Sequence, residues 1–136
     1  MSDPLQRFVD AQRDTYDQAL SELRSGEKRT HWMWFVFPQI EGLGRSGMAQ
    51  RFAIADLDEA RAYLAHPVLG RRLVESARAL TALDVDDPVA VMGSIDAVKL
   101  RSSMTLFASV SDDPVFDRVL EQYCAGDRDP ETTSRL

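Results

Sequence analysis

Residues 31–47 have the sequence HWMWFVFPQIEGLGRSG, and this stretch decides how the chain folds. Six consecutive positions within it hold four of the eleven aromatic residues, at Trp32, Trp34, Phe35 and Phe37. A run that is apolar on every side is buried whether it forms a strand or a helix. No second segment has the pattern of a strand to pair with it, and an unpaired strand leaves its backbone groups without partners. We therefore predict a short buried helix that ends at Pro38, since the residue before a proline avoids the α region.

The rest of the chain repeatedly shows the residues that typically begin and end helices. Apolar residues recur at helical spacing, and each run is broken by Gly, or by Asp or His before Pro. Ser2 or Asp3 is suited to cap the first helix, and Ser94 to cap the one that follows Gly93. The pattern predicts helices at residues 4–25, 48–55, 56–65, 67–83, 94–110 and 114–125, with single turns after Asp87 and Asp129. The predicted fold class is all-α, a single compact multi-helix domain of about seven helices over residues 1–136.

Composition narrows the class of partner. The formal charge of −6 argues against binding to nucleic acid, because that affinity comes mostly from a basic face that neutralises phosphates. The longest apolar run, residues 32–37, is far shorter than the ~20 residues that cross a bilayer. The N-terminal stretch is polar, without the pattern of a signal peptide, and the single cysteine permits no intrachain disulfide. We expect a soluble cytoplasmic protein that binds neither nucleic acid nor membrane, and its oligomeric state is left open.

Three stretches together resemble one family. They are residues 31–47, the pattern E-A-x-x-Y-L-x-H-P-x-L-G at residues 59–70, and the pattern D-x-x-K-x-x-S-S-x-T-L-F at residues 96–107. The family is the bacterial and fungal domain of unknown function 1810, which is sometimes labelled calpastatin. The resemblance spans nearly the whole chain. It implies a compact, mainly α-helical domain and no particular activity.

The first candidate site is the loop at residues 39–47 together with His31. Its glycines allow backbone N–H groups to approach a ligand, and Gln39, Arg45 and Ser46 add polar groups, so one interpretation is a lid or an anion cradle. The other interpretation is a tight connection between two buried helices, in which the glycines supply positive φ angles. The loop lacks the preceding strand and the spacing of a phosphate-binding P-loop, so both interpretations stay open.

The second candidate is His66 with Arg71 and Arg72 at the start of a helix. A helix N-terminus beside cations can hold a phosphate or a carboxylate. The alternative is that His66 is a hinge that caps the helix and that both arginines are solvated.

The third candidate is the face formed by Asp96, Lys99 and Ser103, which share one side of a helix at spacings of three and seven. The alternatives here are a structural ion pair and a functional lysine. Trp34 or Trp32 is suited to stack against a ring of the ligand, a contact that contributes ~1–3 kcal/mol per base in known stacking sites. We expect one tryptophan to be buried and the other to border a cleft.

Two distant histidines and one cysteine have no spacing typical of a zinc site, so we expect no metal and no cofactor. We expect the three candidates to converge beside the tryptophans and to bind a small anionic or nucleotide-like ligand. Whether the chain is an enzyme is left open, and no catalytic residue is assigned. The alternatives are a hydrolase, namely a glycosidase acting on an ADP-ribose-type conjugate, and a protein-interaction module.

Overall fold

The computed structural model describes residues 3–136, and within them the chain forms ten α-helices and no β-strand. Four helices begin at a capping side chain that accepts a backbone N–H of the first turn, provided by Ser46, Asp56, Asp87 and Asp129. The helices are α1 (Gln6–Gln12), α2 (Tyr16–Ser25), α3 (Met33–Val36), α4 (Gly47–Arg51), α5 (Leu57–Ala65), α6 (Leu69–Thr81), α7 (Pro88–Met92), α8 (Ser94–Ala108), α9 (Val115–Cys124) and α10 (Pro130–Thr133). None of them has the length and apolar character needed to cross a membrane.

The predicted all-helical class is confirmed, but the prediction of about seven helices is wrong, since the described residues form ten. The segments that follow Asp87 and Asp129 form the short helices α7 and α10 rather than single turns. Ser94 is the first residue of α8 and not its cap, because Gly93 takes the cap position. The φ of 87° and ψ of 162° at Gly93 belong to a region that only glycine adopts readily. Of the two predicted caps at the N-terminus, Asp3 accepts the N–H of Leu5 at 2.9 Å, and Ser2 lies outside the described residues.

The predicted helix over residues 4–25 is also wrong, because a turn at residues 13–15 divides it into α1 and α2. The turn lets α1 pack against α3 and α2 pack against α6. The buried amide of Gln12 donates to the carbonyl of Phe35 at 2.7 Å, whereas the hydroxyl of Tyr16 donates to Glu75 on α6 at 2.5 Å. Tertiary contacts at the two ends of the turn therefore override the local helical periodicity.

A row of aromatic rings runs through the core from α1 to α9. Ring centres are 5.1 Å apart for Phe8 and Tyr63, 5.4 Å for Tyr63 and Phe107, and 6.0 Å for Phe107 and Phe116. All four side chains are fully buried, and each phenylalanine contributes roughly 1.5–3 kcal/mol by leaving water. Residues 102–107 of α8 are buried without interruption. The C-terminal half of α8 is therefore fixed in the core, and its N-terminal half reaches the surface.

Within the described residues, a single parallel β-bridge closes the segment that contains the loop at residues 39–47, which we call the glycine loop. It joins Ile40 to Ile54. The N–H of Glu41 donates to the carbonyl of Ile54, and the N–H of Ile54 donates to the carbonyl of Gln39, both at 2.8 Å. Since both isoleucines are buried, the bridge fixes the two ends of the segment that carries α4.

Candidate functional site

The buried carboxylate of Glu22 holds the segment that leads from α2 to α3. It accepts hydrogen bonds from the backbone N–H groups of Arg29 at 2.6 Å and Thr30 at 2.9 Å, and from the Thr30 hydroxyl at 2.6 Å. The amide of Gln18 at 2.9 Å and the indole N–H of Trp32 at 3.1 Å complete the set. Burial alone would raise the pKa of this carboxyl, but the hydrogen bonds from Thr30 and Arg29 outweigh burial and lower the pKa to about 2. The charged carboxylate therefore fixes the path of the chain into α3.

The two lysines of the chain converge on one carboxylate. Lys28 Nζ lies 2.9 Å from Asp96 Oδ2, and Lys99 Nζ lies 3.6 Å from Asp96 Oδ1. Lys28 also donates to the carbonyl of Thr30 at 2.6 Å, and its backbone N–H donates to the carbonyl of Val91 at 2.7 Å. The side chains of Lys28 and Lys99 are 7% and 21% exposed. Two cations thus share one anion, which leaves one positive charge in excess.

Each lysine ammonium also lies over a tryptophan ring. Lys28 Nζ is 4.9 Å from the ring centre of Trp32, and Lys99 Nζ is 4.7 Å from that of Trp34. Contacts of this kind contribute about 0.5–2 kcal/mol. Trp32 is fully buried, whereas Trp34 is partly exposed, so the prediction of one buried and one accessible tryptophan is confirmed.

A cleft of about 440 Å³ opens between α3 and the start of α8, and we call it the lysine cleft. Its polar wall is formed by Lys28, His31, Asp96 and Lys99, and its apolar wall by Met33, Trp34, Met92 and Ile95. No side chain caps α8, and no group within residues 3–136 accepts the backbone N–H of Ser94, Ile95 or Asp96. Such N–H groups carry the partial positive charge of a helix N-terminus. The lysine cleft therefore presents ammonium groups and unpaired backbone donors to one ligand-sized space.

This arrangement suits an anion better than a metal ion. Asp96 is the single carboxylate among the lining residues, and both of its oxygens face lysines. Across residues 3–136 no three His, Cys, Asp or Glu side chains are grouped as metal ligands. Cys124 is half-buried in α9, where burial raises the pKa of its thiol and disfavours the reactive thiolate.

The structure brings three of the predicted site residues together, since His31, Trp34 and Lys99 all line the lysine cleft. Ser103 lies one helical turn beyond Lys99 but is fully buried and is not part of the lining. Its hydroxyl has no hydrogen-bond partner within the described residues.

The other predicted residues lie elsewhere. Gln39 lines a separate cleft of about 290 Å³ beside the glycine loop. Arg45 and Ser46 are exposed, and the Ser46 hydroxyl accepts the N–H of Ala49 as the cap of α4. His66 Nδ1 accepts the N–H groups of Val68 at 3.1 Å and Leu69 at 3.2 Å, so its imidazole caps the start of α6. The expected convergence of three segments is thus reduced to two, because His66 does not line the lysine cleft and residues 31–47 contribute only His31, Met33 and Trp34 to it.

Sequence reasoning did not select Glu22, Lys28 or the turn at Gly93. Lys28 carried a usable signal, because it is one of two lysines among sixteen cations. Glu22 carried a weaker one, since it directly precedes Leu23, an apolar residue at helical spacing in the helix predicted at residues 4–25. The uncapped start of α8 gave no signal in the sequence, because serine is a typical N-cap residue and Ser94 was therefore expected to cap this helix.

Comparisons with known proteins agree with this architecture. The family model described as "Protein of unknown function (DUF1810)" matches residues 2–136. The chain is similar to the crystal structure of the conserved hypothetical protein Rv1873 from Mycobacterium tuberculosis, with a TM-score of 0.95 and 45% sequence identity over 97% of this chain and 95% of that one. No match was found among curated proteins. The chain therefore belongs to the DUF1810 family of proteins of unknown function, as the resemblance in its sequence predicts.

Proposed function

We propose that the chain binds a small anionic ligand of nucleotide-like chemistry in the lysine cleft. The observation that carries this proposal is the meeting of Lys99, the partly exposed Trp34 and the uncapped N-terminus of α8 at one surface. A helix N-terminus favours a phosphate or a carboxylate, and a nearby ammonium group adds to the attraction. An accessible indole ring offers a stacking surface to a base.

Lys99 is the cation best placed to meet the ligand. Lys28 is almost buried and already has two oxygen partners within 2.9 Å. Lys99 is more exposed, and its contact with Asp96 at 3.6 Å is longer than a hydrogen bond. Lys99 can therefore turn toward a phosphate without losing a short hydrogen bond, while Lys28 holds Asp96 in place.

The ring of Trp34 links the charge of the cleft to a ligand with a base. The Lys99 ammonium lies against this ring. A phosphate that draws Lys99 toward the start of α8 exposes more of the ring to a planar group. The volume of about 440 Å³ falls within the range of about 300–1,000 Å³ typical of small-molecule sites.

The geometry supports binding more than hydrolysis. A glycosidase that acts on an ADP-ribose-type conjugate needs a proton donor at the leaving group and, in most families, a second carboxylate. Asp96 is the single carboxylate that lines the lysine cleft, and its two oxygens face two ammonium groups. Release of product from such a conjugate would nevertheless establish an enzyme.

The proposal is tested by calorimetric titration with inorganic phosphate, adenosine, ADP and ADP-ribose. We expect the phosphorylated compounds to bind and adenosine to bind more weakly, because the cleft selects for negative charge. Lys99→Met keeps the length of the side chain and removes its charge, and we expect it to weaken ADP binding about tenfold or more, about 1.4 kcal/mol or more. His31→Ala tests the polar wall that also holds Lys99, and Trp34→Leu tests the apolar wall.

Two variants outside the lysine cleft serve as matched controls. Arg45→Met removes a cation from the glycine loop, and Gln39→Ala alters the separate cleft beside it. Neither is expected to change the affinity for ADP. Equal losses in Lys99→Met and Arg45→Met would contradict the proposal, as would the failure of every phosphorylated compound to bind at millimolar concentration.

A further inference from the structure

A second and larger concavity lies along α6, on elements that take no part in the lysine cleft. Its volume is about 700 Å³, and we call it the arginine groove. Three arginines form its edges, and three apolar side chains form its floor. They are Arg24, Arg71 and Arg78 at the edges and Leu64, Val74 and Leu83 on the floor.

The charges of the arginine groove are largely unpaired. Within residues 3–136 neither Arg24 nor Arg71 forms an ion pair, and Arg78 reaches Asp113 only at 3.6 Å with its side chain 67% exposed. The one carboxylate in the groove, Glu75, accepts a hydrogen bond from Tyr16. Unpaired guanidinium groups beside a partly exposed apolar floor match an apolar side chain that is flanked by carboxylates.

This chain has an apolar side chain flanked by carboxylates in the segment that follows the last lining residue of the groove in the sequence. Leu83 lines the groove, and the acidic loop of residues 84–87 follows it with the sequence Asp-Val-Asp-Asp. Val85 is 45% exposed and lies between two aspartates in the sequence. The side chains of Asp84 and Asp86 have no ion pair or hydrogen bond among the described residues, whereas Asp87 caps α7. Unpaired anions and an exposed apolar residue therefore adjoin unpaired cations and an apolar floor.

We propose that the arginine groove binds the acidic loop of a second copy of this chain. The groove and the loop adjoin one another at Leu83, so a two-fold axis between them places each loop in the groove of the partner. Val85 then covers the apolar floor, and Asp84 and Asp86 meet Arg24 and Arg71. The interface buries both patches at once and forms a closed dimer rather than a filament.

The proposal is tested by sedimentation velocity of the full chain over a range of concentrations, at low and high salt. We expect a dimer that dissociates on dilution and is weakened by salt, because opposite charges provide part of the attraction. Arg71→Glu alone and Asp86→Arg alone each place like charges in both contacts of the dimer. We expect either variant to weaken dimerisation about tenfold or more.

An equimolar mixture of the two variants gives the decisive result. In the mixed dimer, one contact joins Glu at position 71 to Arg at position 86, and the other contact is unchanged. We expect the mixture to form dimers although neither variant does so alone. Arg13→Glu, which reverses an exposed charge on another element, is expected to leave the dimer intact. A chain that is monomeric at millimolar concentration, or a mixture that stays monomeric, would overturn the proposal.

Discussion

Replacing Glu22 by Gln tests the account of how the lysine cleft is positioned. The substitution preserves the shape of the side chain but removes the negative charge of the carboxylate, whose oxygens accept hydrogen bonds from Arg29, Thr30 and Trp32. The hydrogen bonds lower the carboxyl pKa from 4.5 to about 2, despite the opposing effect of burial. Because one pKa unit corresponds to about 1.4 kcal/mol, the charged form stabilises the fold by about 3 kcal/mol at neutral pH. We expect Glu22→Gln to lower the free energy of unfolding by about this amount.

The pH dependence gives a second and more specific test of the same carboxylate. The pKa is lower in the folded chain than in the unfolded one, so the contribution is fully present above about pH 4.5 and is lost as the pH falls toward 2. Urea denaturation followed by circular dichroism, at several values between pH 2 and 7, measures this loss. Glu22→Gln is expected to lack that part of the pH dependence.

Glu27→Gln is the matched control for this experiment. Glu27 pairs with Arg29 at 3.2 Å, but both side chains are about two-thirds exposed, and exposed pairs contribute little. We expect this variant to change the free energy of unfolding by less than about 1 kcal/mol. Equal stability of the two variants at neutral pH would refute the role assigned to Glu22.

Two further pairs of variants test the packing around the site. Ser103→Ala removes a buried hydroxyl that has no partner among the described residues, and we expect the fold to be equally or more stable. Ser102→Ala removes a hydrogen bond of 2.8 Å to the carboxylate of Asp129. We expect it to lower the free energy of unfolding by about 1–2 kcal/mol, measured by thermal or urea unfolding. A clear loss in Ser103→Ala would mean that its hydroxyl has a partner after all. Gly70→Ala places a methyl group against the carbonyl oxygen of Leu64, and we expect it to lower the free energy of unfolding in urea by at least about 2 kcal/mol. In Gly47→Ala the new methyl group meets open space, and we expect the free energy of unfolding to change by less than about 1 kcal/mol. Similar stability of the two alanine variants would show that α5 and α6 are not packed so closely.

The sequence predicted most of the fold because its helix signals are local. Asp56 caps α5, which lies within the helix predicted at residues 56–65. Asp87 and Asp129 mark starting points that the sequence also indicated, although the segments after them form short helices rather than single turns. The buried helix within residues 32–37 also followed from composition and from Pro38. The turn at residues 13–15 was not predictable in this way, because it depends on contacts with α3 and α6 that are distant in the sequence.

The candidate site was predictable only in part, for a related reason. His31, Trp34 and Lys99 were candidates for ligand binding from the sequence, and they share one cleft. Ser46 and His66 were candidates too, but each satisfies backbone N–H groups at the start of a helix, as the alternative interpretation of His66 predicted. Capping and ligand binding use the same side chains, so sequence alone does not separate them.

The most direct test of the central claim is a titration of the isotope-labelled chain with ADP, followed by ¹H–¹⁵N nuclear magnetic resonance. We predict saturable shifts of the backbone amides of Ser94, Ile95 and Asp96 and of the indole N–H of Trp34, all with one dissociation constant. Lys99→Met should weaken these shifts together. Shifts confined to residues 39–47 or to the arginine groove, with the start of α8 unaffected, would contradict the claim.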